Sequence, residues 1–94
     1  MSSEAKTRIL VLDDETIVLK RLGPALEKAG YAVDLFSRSA DALNRVQETS
    51  FDIVITDLKM EGLDGMQFLT KVKALWPNFP ILTIVTKDSR LGEV

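Results

Sequence analysis

Apolar residues in this chain gather in short runs, separated by longer stretches in which they recur every three or four positions. The runs are Ile9-Leu10-Val11-Leu12, Ala32 to Phe36, Ile53-Val54-Ile55 and Ile81 to Val85. Each has strand length, and most are rich in branched side chains. Apolar strands without alternation are buried on both faces. Interleaved with helical stretches, they predict an α/β fold with a parallel sheet covered by helices. Right-handed crossover connections are expected between the strands.

The first helix is expected from about Thr16 to Ala29, with Val18, Leu22, Leu26 and Ala29 as its apolar stripe. Gly30 is a suitable stop. Gly23-Pro24 interrupts the pattern. A proline there removes one backbone hydrogen bond and clashes with the preceding turn, at about 3 kcal/mol, so a kink or a broken first half is expected. Ser39 reads as the N-cap of a second helix that ends near Glu48 and turns Ala42, Leu43 and Val46 to the sheet. A third helix is expected from Gly65 to Trp76, with Phe68, Leu69, Val72 and Trp76 on its apolar face. Leu63 and Met66 read as packing residues, and Lys71 and Lys73 as a solvent face. Asn78 and Pro80 mark the turn into the last strand.

Composition narrows the chemistry. At 94 residues a single domain over 1–94 is expected, with residues 1–6 disordered. A net charge of −2 supplies no field that would draw the chain to nucleic acid or anionic lipid, so neither partner is expected. Without cysteine there is no disulfide or thiol chemistry. Without histidine the commonest general base and transition-metal ligand are missing. Any metal would then be held by oxygens, which favours Mg²⁺ or Ca²⁺. The polar start, Met1 to Lys6, resembles no signal peptide, and no membrane-spanning run follows; a cytoplasmic protein is expected.

Three carboxylates stand out by position. Asp13 and Asp14 directly follow the first strand, and Asp57 follows Ile53-Val54-Ile55-Thr56. Ligands of open parallel sheets bind beyond the carboxyl ends of the strands, where strand order reverses. In the flavodoxin-like order the first and third strands flank that point, so all three acids converge on one crevice. Clustered carboxylates repel, and each makes the others harder to ionise. A hard divalent cation such as Mg²⁺ resolves the conflict and commonly sits beside phosphate.

At this point the chain resembles the receiver domains of two-component response regulators. Ile9-Leu-Val-Leu-Asp-Asp-Glu15 looks like their opening, and Asp52-Ile-Val-Ile-Thr-Asp57-Leu-Lys-Met60 like their phosphorylation strand and loop. Leu63-Asp64-Gly65 matches the start of the third helix, and Thr86 falls where the family has a switch Ser or Thr. The resemblance covers about Arg8 to Asp88. It implies a flavodoxin-like sheet of order 2-1-3-4. It also implies that Asp57 accepts a phosphoryl group from the phosphohistidine of a sensor histidine kinase. Asp14 would ligate Mg²⁺ directly, Asp13 would assist, and the Lys59 backbone carbonyl would complete the protein ligands. The Thr86 hydroxyl would bond a phosphoryl oxygen and bias a two-state switch. Such a domain is a phosphoacceptor rather than an enzyme.

Two departures qualify the resemblance. Glu61 stands where the family usually has proline. The chain is also expected to stop after the fourth strand, without the family's fifth strand, its lysine and its last helices; Lys87 is not in that lysine's position. An uncovered fourth strand favours association, so a homodimer or oligomer through that edge is expected. Two further readings stay open: an interaction module that needs no phosphoryl group, and, less well supported, a small Mg²⁺-dependent phosphatase.

Overall fold

The computed structural model describes residues 6–57 and 65–86. Lys59, Glu61, Leu63, Asp64, Lys87 and all but Lys6 of the segment expected to be disordered lie outside them. The elements are β1 (Arg8–Leu12), α1 (Thr16–Lys28), β2 (Ala32–Phe36), α2 (Ser39–Glu48), β3 (Ile53–Asp57), α3 (Gly65–Leu75) and β4 (Leu82–Thr86). The four strands form one parallel sheet of order β2-β1-β3-β4. This is the order expected from the sequence. The chain moves from β1 outward to β2, then returns past β1 to β3, so the reversal lies between β1 and β3.

Alternate residues of the strands feed two cores. Leu10 and Leu12 of β1 and Val54 of β3 pack with Ala42 and Val46 of α2 and with Phe68, Leu69 and Val72 of α3. Ile9 and Val11 pack on the opposite face with Leu19 of α1, joined by the half-buried Leu22, Leu26, Val33, Ile53 and Ile55. Helices on both faces explain why the strand sequences are apolar without alternation.

α1 departs from expectation in two respects. It is continuous from Thr16 to Lys28 with Pro24 inside, so Gly23-Pro24 does not break it. Proline cannot donate to the Lys20 carbonyl, but Lys20 and Pro24 are both exposed, so water can satisfy that oxygen. The buried stripe is also rotated. Leu19 and Gly23 are buried, Leu22 and Leu26 half-buried, and Ala29 is exposed. Gly23 lets α1 approach β2, because a Cβ there would lie 2.6 Å from Leu35 Cδ1.

The end of α1 follows the sequence signal closely. Gly30 has φ +102°, its N–H donates to the Glu27 carbonyl, and the Tyr31 N–H donates to that of Leu26. This paired pattern is a Schellman motif, and Leu26 and Tyr31 pack in the same core.

Two smaller corrections concern α2 and α3. Ser39 is the first helical residue of α2 rather than its cap. Arg38 is the capping position, in extended conformation and without a side-chain cap bond. Met66 is 56% exposed rather than packed, while Phe68 and Val72 on the opposite side of α3 are buried. Trp76 packs against the core as expected, and its Nε1–H donates to the Val46 carbonyl at 2.6 Å. That bond satisfies a carbonyl in the last turn of α2, where no intrahelical donor is available.

Candidate functional site

The register of β1 and β3 decides where the acids fall. Leu12 pairs with Thr56, so Asp13, one residue on, stands level with Asp57 at the carboxyl edge of the sheet. Asp13 is 6% exposed and Asp57 8%, whereas Asp14 is exposed. Each of the three offers a carboxylate oxygen, and these atoms lie within 4.8 Å of one another.

The loop after β1 is held by two hydrogen bonds. The Asp13 N–H donates to the Phe36 carbonyl at 3.0 Å, which ties the loop to the end of β2. The Glu15 N–H donates to Asp13 Oδ1 at 2.9 Å, which fixes that carboxylate at the entry to α1. On β3 the buried Thr56 hydroxyl donates to the Asp57 carbonyl at 3.2 Å.

The electrostatics are strained in the way clustered acids require. Burial raises the Asp13 carboxyl above the ordinary aspartate range. The Glu15 N–H bond works in the other direction, while the charges of Asp57, Asp14 and Glu15 add to the rise. Asp57 Oδ1 is buried and has no hydrogen-bond partner among the described residues. A buried carboxylate oxygen without a donor is costly, and here it faces two further carboxylates. An oxygen-seeking cation fits this donor set, which contains no nitrogen or sulfur ligand.

Asp13, Asp14 and Asp57 are therefore brought together as expected. Thr86 ends β4 and pairs in register with Asp57. Lys59 lies outside the described residues. Asp52 escaped the sequence reading as a structural residue. Its Oδ2 accepts the Arg8 N–H at 2.8 Å, and its backbone bonds Arg8 on one side and Leu82 on the other. It thus joins the amino ends of β1, β3 and β4. Only its place just before a strand hinted at this.

The sequence profile of the response regulator receiver domain matches residues 9–92. The chain is 36% identical over 77 residues to the response regulator receiver protein CpdR of Brucella abortus, covering 82% of this chain and 64% of that protein. It is 38% identical over 77 residues to the transcriptional regulatory protein FixJ of Bradyrhizobium diazoefficiens, covering 82% of this chain and 38% of that one. The chain thus spans less than two thirds of either relative. A crystal structure of a response regulator receiver domain protein from Clostridium thermocellum superimposes with a TM-score of 0.79 at 34% identity, covering 93% of this chain and 70% of that one. No helix among the described residues is long and apolar enough to cross a membrane.

Proposed function

Because this chain belongs to the response regulator receiver domain family, we propose that it accepts a phosphoryl group on Asp57 within a two-component relay. The observation that carries this reading is the buried Asp57 Oδ1, without a hydrogen-bond partner among the described residues, inside the three-acid crevice. A carboxylate oxygen there is poorly solvated and free to form a bond.

In the proposed step an Asp57 carboxylate oxygen attacks the phosphorus of a phosphohistidine. The phosphorus–nitrogen bond breaks, and the departing imidazole takes up a proton. These 94 residues contain no histidine, so the donor lies outside them; a sensor histidine kinase is the proposed source. Asp13, Asp14 and Asp57 would hold Mg²⁺, with the Lys59 carbonyl as a further proposed ligand. When bound, the ion would supply neutralisation of charge on the transferring group. The Glu15 N–H keeps Asp13 aimed into the crevice. Thr86, on the same rung as Asp57, is the proposed partner of the new phosphoryl oxygens.

Incubation with a small acyl-phosphate donor and Mg²⁺, followed by intact-mass measurement, tests the proposal. The wild type should gain one phosphoryl group and Asp57→Asn none. A second reading, an interaction module that needs no phosphoryl group, is supported by the exposed Leu82, Ile84 and Val85 on β4. A folded wild type that gains no adduct would favour it.

A further inference from the structure

A groove of about 440 Å³ runs between α1 and the edge strand β2. Its floor is Gly23 and the side chain of Leu35, which is 40% exposed; Lys20, Pro24 and Glu27 stand along its rim. At 100° per residue, these four α1 positions share an arc of roughly 100°. Lys20 and Glu27 are both exposed, and neither enters an ion pair among the described residues. They are seven residues apart, about 10 Å along the helix. The point midway between them falls between Gly23 and Pro24.

This arrangement is self-complementary. We propose that the groove is the contact between two copies of this chain, with their α1 helices antiparallel about a two-fold axis passing between Gly23 and Pro24. Such an axis is equidistant from Lys20 and Glu27. Lys20 therefore meets Glu27 of the second copy, and the symmetry repeats the pair. A parallel arrangement would instead set Lys20 against Lys20 and Glu27 against Glu27, so the charges select the antiparallel one. Leu35 sits against the buried Gly23, and the exposed part of Leu35 in each copy is covered by the second α1. With only two solvent-accessible ion pairs and a small apolar floor, the dimer is weak and salt-sensitive.

Among the described residues, the β4 border offers apolar side chains but no charge pattern that selects an occupant. It is the competing site in the test. Sedimentation equilibrium of the 94-residue chain from micromolar to millimolar concentration should show a monomer–dimer equilibrium that weakens with salt. Lys20→Glu or Glu27→Lys alone should weaken dimerisation by roughly fivefold or more, and the two together should restore it. Pro24→Cys, half a residue from the axis, should form an intermolecular disulfide under mild oxidation, and Asn44→Cys, exposed on α2, should not. A monomer at every concentration overturns the proposal. So does a dimer that ignores both charge reversals, or one abolished by Leu82→Lys alone. So does a double variant as weak as the single ones.

Discussion

Asp57 and Thr86 stand on the same rung of the parallel ladder between β3 and β4. Adjacent strands lie about 4.8 Å apart, so the backbone of the candidate switch residue is held beside that of the proposed acceptor. Thr86→Ala is therefore expected to keep uptake of the phosphoryl group on Asp57. It should lose the change in β4 amide exchange expected on phosphorylation of the wild type. Hydrogen exchange read by mass spectrometry, with and without the phosphodonor, checks both. A variant whose β4 responds as the wild type does would remove Thr86 from the switch.

The acid crevice predicts an unusual pH response. Burial, first among the influences on Asp13, raises its carboxyl, so the folded chain binds that proton more tightly than the unfolded chain does. The contribution of Asp13 to stability is thus best at low pH. It declines as pH rises from the ordinary aspartate value through the raised folded one. Asp13→Asn keeps an oxygen for the Glu15 N–H. It should therefore stabilise the metal-free chain at neutral pH, with the advantage shrinking towards pH 4. Urea denaturation at several pH values tests this, and a variant destabilised at neutral pH would contradict it.

Cation binding should have the opposite sign. An ion that binds only the folded chain adds about 2.7 kcal/mol when present at a hundred times its dissociation constant. Mg²⁺ is expected to raise the urea midpoint of the wild type. It should raise that of Asp14→Asn or Asp57→Asn much less, since each removes one charged donor from the set. Equal Mg²⁺ responses in all three proteins would place the ion elsewhere.

The two sides of α3 should respond differently to truncation. Phe68 is fully buried in the core beneath α2, so Phe68→Ala is expected to destabilise by about 3–5 kcal/mol. Met66→Ala removes an exposed side chain and should stay within about 0.5 kcal/mol of wild type. Trp76→Phe should lie between them, at about 1–2 kcal/mol, because the Val46 carbonyl loses its donor. Chemical denaturation ranks the three, and a costly Met66→Ala would mean that the apolar face of α3 has been misassigned.

The sheet was legible because its central strands, β1 and β3, are continuous apolar runs, which burial on both faces explains. The acid site was legible for a related reason. In a parallel sheet, the residue after one strand lies beside the residue ending its neighbour, so Asp13 and Asp57 meet by register alone. Helix phase was harder to read. Val18 and Leu19 are both apolar, and only contact with Ile9 and Val11 selects Leu19. Pro24 misled because the cost of a lost hydrogen bond depends on whether water reaches the orphaned carbonyl. The bonds made by Asp52 and Trp76 join residues 44 and 30 positions apart, beyond any local pattern.

Trp76 is the one tryptophan in the chain, and its indole is fixed to the last turn of α2. α3 runs against the strands for 11 residues, about 16 Å, and sets the indole near the far end of the sheet from Asp57. The molecule thus carries an intrinsic fluorophore remote from its acids. An emission change on adding Mg²⁺ or a phosphodonor would be no quenching at the crevice. It would be a signal transmitted along α3, recorded without a label.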